Sequence, residues 1–365
     1  MDFGLDDEQE MIVQTVRRFV DRDLRSWGVD ADRAGAPPDR LRAAGVELGC
    51  FVDAVPVAAG GLRDGRYAHT TRALRGFELG RGCAGLAALL ETNVEPALAV
   101  AAWGSPAAQD ALFASLGSGG LATFAHDSRD RLEIGDAAGG LRVSGAIGPV
   151  PALAVAAHVV VAAPGAVFLL ATEDLARTPV TPSGWRAAGW ATARLDAHAV
   201  PADFVLARGD AATAATVEIL SWIRASLAAR AAGVATAAME HAERYARERV
   251  QFGQPIGSFE SLIRLRDDAL TGAAAARLMA LQAAWAIDTL PPGAPAAVDA
   301  ASRARVLAGD VVARATVDAV QIFGGYGFVA DYPVEKLMRD ARAFEALYGD
   351  ERLGRVLAAK AELSR

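Results

Sequence analysis

The chain has 365 residues, 52% of them hydrophobic and 22% charged, with a formal net charge of -7 at pH 7. That length exceeds one ordinary hydrophobic core and suits two or three; the composition excludes a largely disordered chain, and the acidic balance excludes a general nucleic-acid binder. Two cysteines, Cys50 and Cys83, form no disulfide framework and fit a reducing, cytoplasmic setting as small buried hydrophobes.

The start, Met1-Asp2-Phe3-Gly4-Leu5-Asp6-Asp7-Glu8, is acidic and lacks the apolar run of a signal peptide. From Leu5 to about Leu116 the pattern is helical. Met11, Val13, Val16, Phe19 and Val20 recur near helical spacing behind an acidic first turn. Further helices are predicted over 67–79, 84–103 and 106–116, with 55–61 as a loop. From Gly119 to about Val205 short apolar runs alternate with Gly, Pro and Thr-Pro turns, which predicts a small β-domain. Its candidate strands are 122–125, 141–144, 159–163, 166–171 and 193–199. The stretch 152–171 is apolar enough to imitate a membrane span, but His158 and the Pro164-Gly165 break make it two buried strands, and no membrane association is expected.

Helix returns over 211–251, 259–289, 296–323 and 334–346, with a last helix from Glu351. Four long helices with short links predict an up-down bundle. The expected organisation is an α-helical domain over 1–118, a middle β-domain over 119–208 and a four-helix bundle over 209–365. On the first bundle helix, Glu240/Arg244 and Glu243/Arg247 are spaced as i,i+4 ion pairs. Trp185, Trp190 and Trp222 read as core or interface packing rather than a substrate cage. No metal site is expected.

The stretch Glu248-Arg249-Val250-Gln251-Phe252-Gly253-Gln254-Pro255-Ile256 and the stretch Gln321-Ile322-Phe323-Gly324-Gly325-Tyr326-Gly327 carry the chemistry. Together they supply a guanidinium fork, amide donors and closely approachable backbone, which a dinucleotide pyrophosphate requires. Taken singly, Arg249 reads equally well as a solvated helix charge and Gly324-Gly325 as a plain helix cap.

These two stretches, with Asp331-Tyr332-Pro333-Val334-Glu335-Lys336-Leu337-Met338-Arg339-Asp340-Ala341-Arg342, resemble the acyl-CoA dehydrogenase family. The resemblance covers essentially the whole chain, including Leu48-Gly49, Val55-Pro56, Gly60-Gly61-Leu62, Glu78-Leu79-Gly80-Arg81 and Trp103-Gly104-Ser105. It implies an α+β multidomain fold: N-terminal helices, a small middle β-barrel, a C-terminal four-helix bundle. It also implies FAD as cofactor and acyl-CoA thioesters as substrates, oxidised between the α and β carbons while a carboxylate removes the α-proton. By the same resemblance Arg249, Gln251, Phe252, Gln321, Gly324 and Gly325 hold the pyrophosphate and adenosine side of FAD, and Arg224 contacts substrate; a bundle salt bridge is an equal reading of Arg224.

The flavin-ring elements of the family are missing. Ala125 stands where the family has a threonine on its first β-strand. Aligned from Gly145, Pro149 replaces an aromatic residue and Pro151 a threonine, and proline donates no backbone hydrogen bond. His126 is a candidate substitute polar group, though a lone histidine there more often has a structural role. The base is missing as well: counted from Arg342, the family glutamate is Tyr348 and the following threonine Asp350. The alternative base position of the family, beside the arginine matched by Arg224, holds Ile223. A phenol with an ordinary pKa near 10 is a poor base at neutral pH. Glu345, Asp350 and Glu351 are the nearby carboxylates.

In this family one subunit holds the flavin ring and its neighbour supplies the pyrophosphate motifs. The chain therefore resembles a base-lacking subunit of the heteromeric actinobacterial acyl-CoA dehydrogenases. Those α2β2 steroid-side-chain assemblies have fewer FAD sites than subunits. The implied partner is a paired homologue or a second copy in a tetramer, with electron-transfer flavoprotein as electron acceptor and lipid or steroid catabolism as setting. Two alternatives stand beside this: a homomeric flavoenzyme of altered chemistry, such as a monooxygenase, and a flavin-free scaffold.

Overall fold

The computed structural model describes residues 4–128 and 131–348. The first helix begins where the sequence supplies a cap. The Gln9 backbone amide donates to the Asp6 carboxylate at 2.8 Å, and the Asp6 amide donates to the Gln9 side chain at 3.3 Å. This reciprocal pair satisfies two amides that a helix start leaves open. Helix α1 (Asp7–Phe19) buries Val13, Val16 and Phe19, then runs through a π-helical turn at Val20–Leu24 into α2 (Arg25–Ala34). Neither α2 nor α3 (Arg40–Glu47) follows from the sequence pattern, because each buries only two to four residues among many charges. The N-terminal part is completed by α4 (His69–Gly82), α5 (Ala84–Leu90), α6 (Val94–Trp103) and α7 (Pro106–Gly117).

The helix predicted over 84–103 is thus two helices. Asn93 holds the break: its amide donates to the carbonyls of Phe51 and Gly120, and its side-chain oxygen accepts from the Ala122 amide at 2.8 Å. The Thr92 hydroxyl donates to the Ala122 carbonyl. These bonds compete with helix continuation and pin the turn to the β-region.

The barrel expected from the sequence takes the form of two four-stranded sheets around a shared core. The strands are β1 (Ala122–His126), β2 (Leu132–Ala137), β3 (Gly140–Val150), β4 (His158–Ala163), β5 (Ala166–Ala171), β6 (Ala176–Pro179), β7 (Ala191–Pro201) and β8 (Val205–Arg208). Their orders are β1-β4-β5-β8 and β2-β3-β7-β6, with β1 parallel to β4 and the other pairs antiparallel. Strand period sets the layers: Val159, Val161 and Phe168 fill the core between the sheets, while Phe124, Val160 and Leu169 face the helices. The apolar stretch 152–171 supplies the β4–β5 hairpin, not a membrane span. Pro149 is exposed at a register shift between β3 and β7, where a missing amide costs least.

The C-terminal helices are α8 (Gly209–Glu248), α9 (Glu260–Thr289), α10 (Pro295–Phe323) and α11 (Pro333–Ala346). They form the expected bundle, with α8 at its centre and alanine at half of the buried positions of α8. Helix α4 also crosses α8, at a distance that two glycines permit. A methyl group on Gly80 would lie 2.3 Å from the Arg230 carbonyl oxygen, and one on Gly233 2.1 Å from that of Phe77. Glu240 pairs with Arg25 and Arg81 of the N-terminal helices rather than with Arg244, whereas Glu243 pairs with Arg247 as predicted. Among the described residues α9 is long and apolar enough to cross a membrane by length and composition alone; it packs against α8 and α10. Arg129, Asp130, Asp350 and the helix predicted from Glu351 lie outside the described residues.

Candidate cofactor cleft and a small inner cavity

Helix α8 ends at Glu248, and the chain turns at once through a two-residue hairpin between β9 (Val250–Gln251) and β10 (Gln254–Pro255). Both turn residues, Phe252 (φ 53°) and Gly253 (φ 82°), are left-handed, as a tight hairpin requires. Glycine adopts that region freely; phenylalanine does so at a cost. The strain holds the Phe252 ring outward, 93% exposed, edge-on to Phe259. Facing the hairpin, α10 ends at Gly324, whose φ of 59° and ψ of -135° only glycine tolerates.

These two chain ends line one open cleft of about 440 Å³. Arg249, Gln251, Gly324 and Gly325 meet there over an aromatic floor in which Tyr245 stacks on Phe323 at 4.2 Å. The Arg249 guanidinium lies 5.6 Å from the Tyr326 ring and makes no ion pair among the described residues. No atom stands within 4 Å of where a side chain would grow from Gly324 or Gly325, so their backbone is open to a ligand. Gln321 and Phe252 are exposed nearby but do not line the cleft.

The two base positions come together elsewhere. Tyr348 and Ile223 line the same inner cavity, which measures about 40 Å³ and is bounded also by Trp185, Pro151 and Thr123. The Tyr348 hydroxyl donates to the Phe124 carbonyl at 2.9 Å, closing the end of α11 onto β1. Burial, reinforced by Glu95 and opposed by Arg230, pushes the Tyr348 phenol well above its usual range. It is a fixed hydrogen-bond donor, not a base. Thr123 donates to the Pro151 carbonyl at 2.8 Å, while Ala125 points into the β-core away from the cavity.

Beneath the cavity lies a buried ion cluster that sequence reasoning missed. Arg72 pairs with Glu95 at 2.7 Å, Arg75 with Asp53 at 2.7 Å and with Glu91 at 3.2 Å, and Arg230 reaches Glu91 at 3.6 Å. Three guanidinium groups meet three carboxylates, so the charges balance. Burial alone would raise the Glu91 carboxyl, but Arg75, Arg72 and Arg230 outweigh it and hold the group below the carboxylate range. A depressed, ion-paired carboxylate is poorly matched to proton abstraction. The signal in the sequence was charge on apolar helical faces, at Arg72, Arg75, Glu91, Glu95 and Arg230.

Residues 6–120 and 213–363 match the N-terminal and C-terminal domain families of acyl-CoA dehydrogenase. A cyclohex-1-ene-1-carbonyl-CoA dehydrogenase of Geobacter metallireducens is 28% identical across 98% of this chain and 99% of its own length. The chain belongs to the acyl-CoA dehydrogenase family. An acyl-CoA dehydrogenase of Bacillus subtilis is 42% identical over 137 residues, which span 38% of this chain and 35% of that relative. The fold is likewise that of butyryl-CoA dehydrogenase from Megasphaera elsdenii, with a TM-score of 0.86, 25% identity and full coverage of both chains.

As an acyl-CoA dehydrogenase family member, the chain treats its remaining polar candidates in distinct ways. Arg224, beside Ile223 on α8, is 3% exposed and makes no hydrogen bond or ion pair among the described residues, so the alternative of a bundle salt bridge does not hold among them. Burial, then Arg305, lowers its guanidinium to about 10. His126, at the end of β1, is lowered by burial and then by Arg224, with Asp127 opposing. It is therefore a neutral ring beside an unpaired cation. Glu345 pairs with Arg342 and does not line the inner cavity. Trp185, Trp190 and Trp222 are buried, as are both cysteines.

Proposed function

We propose that this chain is the non-catalytic subunit of a heteromeric, FAD-dependent acyl-CoA dehydrogenase, lending its Arg249–Gly325 cleft to the FAD of a partner subunit. The observation that carries this reading is the contrast between the two sites. The cleft that faces outward is open and rich in donors; the cavity where both base positions converge is narrow, about 40 Å³, and its carboxylates Glu91 and Glu95 are ion-paired.

The fit to FAD is accordingly divided. Arg249, the Gln251 amide and the backbone at Gly324 and Gly325 suit a pyrophosphate, with Gln321 and Phe252 close by. The inner cavity of about 40 Å³ does not suit an isoalloxazine ring, and Pro149 and Pro151 offer no amide to it. Bound FAD supplies hydride acceptance in the partner's site; this chain's residues hold and orient its phosphates there. Exposed apolar side chains flank the cleft, among them Phe252 and Phe328 at 93% and 77% exposure, which suits a subunit contact. A cytoplasmic enzyme of lipid or steroid breakdown, passing electrons to electron-transfer flavoprotein, is the matching setting.

Purification of the chain alone and with a paired homologue tests the reading through flavin absorbance and acyl-CoA oxidation. The chain alone should be colourless and inactive, and the pair yellow and active. Arg249→Gln in this chain should lower the FAD content of the pair. Stoichiometric FAD with acyl-CoA oxidation by the chain alone would overturn it.

A further inference from the structure

A second cleft, of about 210 Å³, lies on the opposite side of α8 from the inner cavity. It is bounded by the Arg63–His69 segment, α6, α8 and the turn at Pro291–Gly293. Nothing in the dehydrogenase reading uses it. Rings line it: Trp222 is inclined 28° to His69 at 5.7 Å, with Tyr67 edge-on to His69 at 5.1 Å, and Trp103 backs Trp222 from outside the cleft at 5.9 Å, nearly parallel. Leu98 and Ile287 extend the apolar wall.

Two polar groups in this wall are left without partners. His69 is 93% buried, and its ring nitrogens make no hydrogen bond among the described residues, although its backbone amide is tied to Asp288. Burial, then Arg72 and Arg66, holds the ring neutral, so it offers one donor and one acceptor. Arg63 also lines the cleft; its Nε is buried without a partner, and its side chain makes no ion pair among the described residues. Arg63 is only partly buried, and burial lowers its guanidinium; a ligand that bonds the buried Nε offsets that desolvation.

The charges facing the cleft fix the sign of the ligand. Arg66 donates to the Ile287 and Leu290 carbonyls, and its charge acts on Glu218, whose carboxyl is raised by burial and lowered by Arg66. With Arg66 set against Glu218 and His69 neutral, Arg63 is the uncompensated charge. We propose that this cleft is a binding site for a small monocarboxylic acid, its carboxylate on Arg63, its second oxygen accepting from His69, and its apolar body on Trp222. The cleft is smaller than pockets that take drug-sized ligands, so the acid is compact, with a ring or a short branched chain.

Titration calorimetry on the full chain with benzoate tests the assignment, using benzamide and phenylalanine for comparison. Benzoate should bind saturably, one per chain, with benzamide much weaker. Arg63→Gln should weaken benzoate about tenfold or more, the loss expected for one charge-assisted pair, while Arg63→Lys keeps part of the affinity. Glu243→Gln, on a part of α8 that lines neither this cleft nor the proposed cofactor cleft, should leave benzoate affinity unchanged. Unfolding midpoints of the variants check that each is folded. Absence of saturable benzoate binding, equal affinity for benzamide, tighter binding of zwitterionic phenylalanine, or indifference to Arg63→Gln in a folded protein would each overturn the proposal.

Discussion

A single histidine shows how burial among cations becomes a pH response. His241 on α8 sits beside Arg25 and Arg244; burial first, then those two charges, lowers its pKa to about 4, with Glu240 opposing. In the unfolded chain it titrates near 6.5. Protonation between those values therefore favours the unfolded state. The stabilisation is complete above pH 6.5, declines as the pH falls towards 4, and changes no further below that. Urea unfolding at stepped pH should show a loss of up to about 3 kcal/mol across this window. His241→Gln should flatten the slope; an equally steep slope in that variant would assign it to other groups. The shift was only partly legible in the sequence: Arg244 and Glu240 lie beside His241 on α8, but Arg25 and the burial come from α2, which is distant in the chain.

At the scale of elements, the crossing of α4 on α8 depends on two bare backbones. Gly233→Ala would place a methyl group 2.1 Å from the Phe77 carbonyl oxygen, a rigid atom that cannot step aside. The helices must separate, so we expect a loss of about 1–3 kcal/mol, as for an overpacked core. A chemical unfolding midpoint matching the unsubstituted chain would show that the crossing tolerates the shift. Helical spacing behind an acidic first turn made α1 legible, long alanine-rich segments did so for α8, α9 and α10, and a continuous apolar run broken at Pro164-Gly165 revealed β4 and β5. The break between α5 and α6 was hidden, since Asn93 ends the helix through partners at Phe51, Gly120 and Ala122. Strands β2, β6 and β8 were missed because mostly exposed strands carry little apolar alternation.

At the scale of the whole molecule, the proposed subunit contact rests on the exposed apolar side chains beside the cleft. Phe252 and Phe328 contribute little to this chain's own core, since both are largely exposed. Phe252→Asp with Phe328→Asp should leave monomer stability within about 0.5 kcal/mol, because aspartate accepts the left-handed turn more readily. The same pair of changes should shift the assembly towards monomers in light scattering with the partner homologue. An unchanged assembly would place the contact elsewhere. The family and the three-part architecture were legible because their motifs are local: Arg249 to Ile256 and Gln321 to Gly327 each fold as one turn. Tyr348 and Ile223, far apart in the sequence, were read there as the two base positions, and both line one cavity. What could not be read was the filling behind them, which joins α4, α5, α6 and α8 only in three dimensions.

That filling resists a carboxylate at position 348. Restoring a glutamate at position 348 would set a carboxylate beside Glu95, above a cluster whose three positive and three negative charges already cancel. The added anion would have no counter-ion, and its neighbouring space would admit no thioester. Recovery would need the arginines replaced, the acids neutralised and the cavity reopened together, and each change alone would leave a buried charge stranded. The cluster therefore acts as a lock on composition: a carboxylate at position 348 is disfavoured unless a positive charge arrives with it.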